Sequence, residues 1–174
     1  EIAMGTVFDP GVPEVQTMMA GQDLLIPLVD PVTKIDVPGF CLDPHLLPPP
    51  TPTQIAGGSP SPAWVAEGRG GGGGDELDAP RNIVAAGNTI AAGGGLHTDM
   101  PGGKQRETAI QRAIWNYADP AGYDKDKLFS DLKEQVQATG GKQTDKQINQ
   151  LTDNVWKDVE LILKQSGVKT TTTR

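Results

Sequence analysis

Helical periodicity from residue 104 to residue 168 is the feature that most constrains the fold of this chain. Three amphipathic segments follow one another there, and each is bounded by helix-ending or helix-capping residues. The first stops at the Asp-Pro pair 119–120, and the second runs from Asp124 to the Gly pair 140–141. The third begins with a capping-box sequence at 144–147. The sequence therefore predicts three helices.

The N-terminal half has a different pattern. Two short runs at 24–29 and 32–37 are apolar and β-branched, and the turn residues 30–31 separate them. A further run at 82–86 fits either a strand or the start of a short helix. Strands that come first and helices that come last predict an α+β fold, with a β-rich, sandwich-like or barrel-like N-terminal half and a C-terminal helical subdomain.

Glycine and proline cluster in the middle of the chain. The sequence holds 22 glycines and 15 prolines, and residues 44–80 contain a dense share of both. Such composition is typical of a long loop or linker, and a lid over a reactive site is the alternative. We predict a single domain over 1–168 with this Gly/Pro-rich insert at about 44–80, followed by the start of a Thr-rich linker at 169–174.

Charge and cysteine content exclude several functions. The formal net charge of −7 repels nucleic acid and anionic membrane surfaces, and no apolar stretch approaches the roughly 20 residues of a spanning helix. One cysteine excludes an intramolecular disulfide, and one cysteine with two histidines excludes most zinc sites. We expect no metal, no cofactor, no nucleic acid and no membrane insertion.

The single cysteine, Cys41, and a glutamine in the first predicted helix, Gln111, are the parts of an internal thioester. In that chemistry a thiolate attacks the side-chain amide carbon and ammonia leaves, which stores an acyl group that an outside amine later captures. Helical spacing places Gln111 on the flank of the apolar face, with Trp115 four residues later and Thr108 three residues earlier.

Thioester chemistry makes three demands on the neighbours of this pair. A base has to take the thiol proton, and Asp43 and His45 are close in sequence while His97 could approach from a loop. Hydrogen-bond donors, such as backbone N–H groups at a turn, have to stabilise the tetrahedral intermediate. Finally, the bond has to be screened from water, for which Phe40 and Trp115 are the candidates.

Ordinary roles for both residues stand beside this interpretation. A lone cysteine after a phenylalanine is most often a small buried hydrophobe, and a glutamine in an amphipathic helix is usually solvated. Three functions therefore stay open on the residues alone: a covalent binding domain, a non-covalent interaction module with a buried Cys41, and a cysteine hydrolase or transferase that uses Cys41 with His45 or His97.

Two short blocks resemble the bacterial surface thioester domains of Gram-positive type. Residues 111–115, Gln-Arg-Ala-Ile-Trp, are similar to the family's Thr-Gln-x-Ala-[Ile/Val]-Trp block, although Ile110 stands where the family usually has Thr or Ser. Residues 40–43, Phe-Cys-Leu-Asp, resemble its aromatic-Cys-hydrophobic-[Asp/Asn] block. The resemblance implies a β-rich core with a helical subdomain. It also implies a thioester between Cys41 and Gln111, with Trp115 as the aromatic residue of the motif.

The resemblance also implies a function. Domains of this family lie at the tips of adhesins and pili, and they couple the glutamine acyl group to a lysine amine on a host target. By that likeness we expect a secreted domain, anchored to a cell wall or pilus, that is monomeric within a larger modular surface protein. It would bind a host extracellular protein through a lysine amine. Because each molecule reacts once, it would not be a turnover enzyme.

Overall fold

The computed structural model divides the chain into two compact units, Glu1–Arg81 and Asn82–Arg174. The described strands lie in the first unit and three complete helices lie in the second, while helix α1 (Gly74–Ala92) contains the division between them. The structure describes six stretches of the chain: 3–9, 17–25, 39–45, 65–67, 74–100 and 104–168.

The first unit contains a small antiparallel sheet. Its strands are three residues long each: β1 (Val7–Asp9), β2 (Met18–Ala20), β3 (Gly39–Cys41) and β4 (Val65–Glu67). They are paired in the order β3-β2-β1-β4. The Phe40 ring is buried in this unit and lies so close to Gly21 that a Cβ added to Gly21 would be 2.6 Å from a ring carbon. The buried side chains that the structure describes on these strands are Val7, Met19, Ala20 and Phe40.

The second unit is built around its longest helix. Helices α2 (Gln105–Ala118) and α3 (Lys125–Ala138) both contact α4 (Asp145–Ser166). Their apolar faces are buried against one another, as amphipathic periodicity requires. The largest fully buried apolar side chains that the structure describes in this unit are Ile83, Val84, Ile110, Ile114, Leu128, Leu132, Ile148, Val155, Val159 and Ile162.

The predicted helix ends are confirmed. The Asp124 carboxylate accepts the Lys127 N–H at 2.9 Å and caps α3. At the start of α4 the capping box is complete, because Thr144 Oγ1 accepts the Gln147 N–H at 3.3 Å and Gln147 Oε1 accepts the Thr144 N–H at 2.9 Å. Left-handed Gly167, with φ of 72°, ends α4. The three helices predicted after residue 104 are all present.

The predicted β-rich N-terminal half is wrong. The described part of the chain is mostly helical, since its four helices have 14 to 22 residues and each of its strands has three. Strands this short provide only one or two inward side chains each, which cannot supply the two facing apolar surfaces of a sandwich. Among the residues described in the first unit, a small four-stranded sheet stands in place of the predicted sandwich or barrel.

The sequence segments on which the predicted N-terminal organisation was based differ in how they compare with the structure. Most of 24–29 and all of 32–37 lie outside the described residues, as does the predicted linker at 169–174. Residues 82–86 belong to α1, so the helical alternative for them is the correct one. The Gly/Pro-rich segment 44–80 contains β4 and the first residues of α1, so it is not loop throughout. The division of the chain into one domain with an insert stays a prediction.

At Gly87, α1 packs closely against side chains of α2 and α4. A Cβ built at this position would lie 2.7 Å from Ile110 Cδ1 and 3.5 Å from Ile162 Cδ1. The residue is buried, so a side chain there has no exit to solvent. The absence of a side chain at Gly87 is thus a requirement of the packing.

We therefore expect Gly87→Ala to lower the free energy of unfolding by about 1–3 kcal/mol, because overpacking forces Ile110 out of its position. Urea titration followed by circular dichroism measures the change. Gly93→Ala is the matched control, since a Cβ there meets only backbone oxygens at 3.6 Å. Equal unfolding midpoints for the two variants would contradict the close approach.

Candidate functional site

Cys41 is the last residue of β3, where it lies opposite Met18 of β2. Its side chain is half-buried, and its thiol donates a hydrogen bond to the Met18 sulfur at 3.2 Å. Burial raises the pKa of the Cys41 thiol above its ordinary value. The thiol is therefore protonated near neutral pH, and a thiolate forms there only with the help of a base.

The residues around Cys41 form a strand end and a tight turn. Phe40 is buried at 4% exposure in the core of the first unit. After the strand, the Asp43 carboxylate accepts the backbone N–H of His45 at 2.8 Å, which turns the chain. His45 is exposed and belongs to the same unit as the thiol. The structure thus brings Phe40, Cys41, Asp43 and His45 into one short segment.

Gln111 lies on α2 at the edge of its buried face, as predicted from helical spacing. Ile110 is fully buried, and Ala113 and Ile114 continue the same apolar face. Gln111 itself is half-buried and Thr108, one turn earlier, is buried. Because Ile110 is a core side chain, the position where the thioester family usually has a hydroxyl serves packing in this chain.

Trp115, one turn after Gln111, is held by two neighbours. The Arg112 guanidinium carbon lies 4.8 Å from the centroid of the indole ring, within cation–π range. The Tyr123 ring contacts the indole edge to face, with centroids 5.4 Å apart and an interplanar angle of 68°. The indole is therefore fixed between a cation and a second aromatic ring.

A polar network supports these two neighbours. Arg112 Nη1 donates to the Tyr123 hydroxyl at 2.7 Å, and that hydroxyl donates to Asp131 Oδ2 at 2.9 Å. Lys127 Nζ donates to the other oxygen of Asp131 at 2.8 Å. Burial raises the pKa of Tyr123, so its phenol keeps the proton that Asp131 accepts. Sequence reasoning missed this cluster, because only packing brings α2, the loop after it and α3 together.

Two buried donors in this cluster have no acceptor. Arg112 Nε and Trp115 Nε1 are shielded from solvent, and neither donates a hydrogen bond to any residue that the structure describes. Buried N–H groups are nearly always paired in folded proteins. Two buried hydrogen-bond donors without an acceptor in the described part of the chain therefore lie within about one helical turn of Gln111.

His97, one of the candidate bases for the Cys41 thiol in the sequence, is held by a buried carboxylate of α4. Asp158 is fully buried, and its oxygens accept the backbone N–H of His97 at 2.8 Å and of Thr98 at 2.7 Å. The Thr98 hydroxyl also donates to Asp158, and His97 Nδ1 lies 2.9 Å from Oδ1. These hydrogen bonds hold the segment after α1 against α4. His97 therefore has a defined position, although glycines precede it in the sequence.

The sequence did contain a signal for Asp158. It lies between Val155 and Ile162 on the apolar stripe of α4, next to Val159. A carboxylate on a core-facing stripe needs buried donors to offset its desolvation. A search for polar residues at apolar positions of the helical pattern would have identified it.

The cysteine hydrolase hypothesis needs a histidine oriented by a carboxylate. His97 has that partner in Asp158 and keeps 55% of its side chain exposed. His97 belongs to the second unit and Cys41 to the first, so this hypothesis stays a prediction. Cys41 and Gln111 likewise belong to different units, so the thioester between them also stays a prediction.

A cavity of about 520 Å³ lies within the second unit, and none of the predicted site residues lines it. Val136, Ile148 and Leu151 give it an apolar floor, while Lys104 and Gln135 contribute polar groups. Neither Gln111 nor Trp115 lines it. Within the described residues, no three His, Cys, Asp or Glu side chains are close enough together to hold a metal ion.

Comparisons of the chain with models of protein families, with curated proteins and with solved structures each gave no match. In the part of the chain that the structure describes, no helix has both the length and the apolar character needed to cross a membrane. Any functional conclusion therefore depends on the two sequence blocks and on the local geometry of their residues.

We expect Asp158→Asn to cost about 2–3 kcal/mol of unfolding free energy, since the amide nitrogen would face N–H donors that now bond a carboxylate. Chemical denaturation measures this loss. Asp153→Asn on the same helix removes only a surface ion pair with Lys125 and is expected to change the midpoint little. A wild-type midpoint for Asp158→Asn would contradict the anchoring role of this carboxylate.

The raised pKa of Cys41 has a kinetic consequence. In a Gln111→Ala variant, which cannot form the thioester, alkylation by iodoacetamide should have its pH midpoint above that of the same chain unfolded in urea. Burial disfavours the thiolate, so the thiolate fraction at each pH below the midpoint is smaller in the folded protein. A folded-state midpoint below that of the unfolded chain would mean that the thiol is activated rather than desolvated.

Proposed function

We propose that this chain is a covalent binding domain in which Cys41 and Gln111 form an internal thioester that captures an amine. The observation that carries the proposal is the placement of Gln111, which is half-buried on α2 one turn from an indole that is fixed on two sides. The Phe-Cys-Leu-Asp and Gln-Arg-Ala-Ile-Trp blocks supply the residue types that the chemistry needs, in the same order as in the thioester family.

The chemistry of bond formation follows from these residues. The Cys41 sulfur attacks the Gln111 amide carbon, and the amide nitrogen leaves as ammonia with the proton that the thiol loses. Because burial raises the pKa of Cys41, a base has to assist. The imidazole of His45 is the candidate, since it follows the thiol by four residues on the turn that Asp43 forms.

Capture of the target replaces the carbon–sulfur bond of the thioester with a carbon–nitrogen bond. An unprotonated lysine amine attacks the thioester carbon, Cys41 departs as a thiolate, and an amide bond joins Gln111 to the target. We assign the target to a host extracellular protein and the domain to a secreted, cell-wall-anchored or pilus-anchored surface protein. These assignments rest on the family likeness of the two blocks. Each molecule reacts once, so the domain is not a turnover enzyme.

The fold supports only the helical part of the resemblance. The helices α2, α3 and α4 agree with the expected helical subdomain, and α2 carries the Gln block. The β-rich core that the resemblance implies is replaced by a sheet of three-residue strands. The proposal therefore depends on the residues of the two blocks and not on overall architecture.

A second function is favoured by the surroundings of Cys41. The thiol is half-buried, donates to the Met18 sulfur and has a raised pKa, which are the properties of an inert packed cysteine. In that case the chain is a non-covalent interaction module, and Gln111 is an ordinary flank residue. The mass of the purified protein separates the two functions.

Intact-mass measurement tests the proposal directly. The wild-type protein should be lighter than its sequence by one ammonia, and incubation with methylamine should add one methylamine per chain. Cys41→Ala and Gln111→Ala should each have the full sequence mass and should take up no methylamine. Gln137→Ala, which changes an exposed glutamine of α3, should behave as wild type.

Two results would contradict the thioester. A wild-type chain with its full sequence mass and one titratable thiol would leave the non-covalent module as the function. Uptake of methylamine by Cys41→Ala would show that the modified residue does not depend on the cysteine.

A further inference from the structure

The Trp115 indole follows Gln111 by one helical turn on α2. Helix geometry places the side chains of residues i and i+4 side by side, and a long side chain on a helix covers the turn before it. Trp115 is therefore the neighbour of Gln111 on the surface of α2. The cation–π contact with Arg112, three residues earlier, agrees with a ring that leans over this turn.

The indole N–H of Trp115 is a buried hydrogen-bond donor in a ring that two neighbours hold in place. Trp115 Nε1 is buried and has no acceptor among the described residues. The ring that carries it is fixed by the Arg112 guanidinium at 4.8 Å and by the Tyr123 ring at 5.4 Å. An N–H group that is desolvated and held in place before the reaction stabilises developing negative charge at little reorganisation cost.

We propose that the Trp115 indole N–H stabilises the oxyanion that forms on the Gln111 acyl oxygen. This inference rests on the proposed thioester function. When an amine attacks the thioester, its nitrogen bonds to the acyl carbon and the C=O π pair moves onto oxygen as an oxyanion. The Trp115 N–H donates to that oxygen. The C=O then re-forms as the C–S bond breaks, and sulfur leaves with the bonding pair and takes up the proton lost by the amine nitrogen.

Arg112, Tyr123 and Asp131 act through the indole and are positioning residues. Arg112 stacks on the indole, Tyr123 contacts its edge, and Asp131 accepts the Tyr123 hydroxyl at 2.9 Å. Asn116 Nδ2 also donates to the Tyr123 backbone oxygen at 2.8 Å, which holds the loop that carries this ring. The network explains why a short loop after α2 is tied so closely to the helix that carries Gln111.

The test replaces the donor atom while it keeps the ring. Trp115 is changed to benzothienylalanine, in which sulfur replaces the indole N–H at nearly the same shape, and in parallel to phenylalanine. Methylamine capture and spontaneous hydrolysis of the thioester are both followed by intact mass over time. We expect both rates to fall about 100-fold or more for the benzothienylalanine protein, as for the loss of an oxyanion donor. Circular dichroism and urea unfolding confirm that the variant is folded.

A structural role for Trp115 predicts a different result. If the indole only screens the thioester from water, its alteration should leave capture at the wild-type rate or should accelerate hydrolysis. Either outcome for a folded benzothienylalanine protein would overturn the proposal. Trp156→Phe is the matched control, because Trp156 lies on α4 and its indole N–H donates to Glu160 at 3.1 Å. A rate loss in that control equal to the loss at position 115 would likewise overturn it.

The proposed function and this inference fail in distinguishable ways. A wild-type protein that has not lost ammonia contradicts the thioester itself, and the oxyanion role falls with it. A wild-type protein that has lost ammonia and captures methylamine, beside a folded benzothienylalanine variant with unchanged rates, contradicts only the role of Trp115.

Discussion

Burial of one face of α4 is the constraint on which the second unit depends. This helix presents an apolar stripe that includes Ile148, Val155 and Ile162, and both α2 and α3 cover it. Removal of these side chains from water is the main favourable term available to a chain with 5% aromatic residues. The charged exception on the stripe, Asp158, is compensated by donors from residues 97 and 98, so the same face also fixes the connection that follows α1.

The placement of α2 against α4 decides what surrounds Gln111. Because Ile110 and Ile114 face the core, Gln111 falls at the edge of the interface and Trp115 falls beside it. The Arg112, Tyr123 and Asp131 contacts then fix the indole. The orientation of α2 thus places Gln111 next to a packed interface, a partly buried polar network and the buried indole N–H of Trp115.

The local sequence pattern was sufficient to predict the helices after residue 104, but not α1 or the extent of the sheet. The helices after residue 104 could be predicted because their caps, such as Thr144 and Asp124, and their apolar spacing are local in sequence. Helix α1 was obscured because glycines precede it and small residues such as Gly87 form its contact face, which weakens the apolar signal. The β content was overestimated because a short apolar, β-branched run does not reveal whether a long strand forms, and each described strand, β1 to β4, has only three residues.

For the candidate site, too, the contacts that are local in sequence could be predicted and those that depend on tertiary packing could not. The neighbours of Gln111 on its own helix, Thr108 and Trp115, follow from a period of 3.6 residues and were predicted. The partners of Trp115 on the next loop and helix depend on tertiary packing, and so does the anchoring of His97 by Asp158. Cys41 presents the opposite case, because its residue type suggested a reactive thiol while its burial beside Met18 raises its pKa. Reactivity depends on environment, which a short motif does not encode.

The proposed thioester is a covalent bond between the Cys41 sulfur and the Gln111 side-chain carbon. A high-resolution crystal structure of freshly purified protein, handled without amines or reducing agents, would show whether that bond is present. We expect continuous electron density from Sγ of Cys41 to Cδ of Gln111, with one oxygen and no amide nitrogen on that carbon. Two well-ordered, separate side chains with an intact Gln111 carboxamide would contradict it.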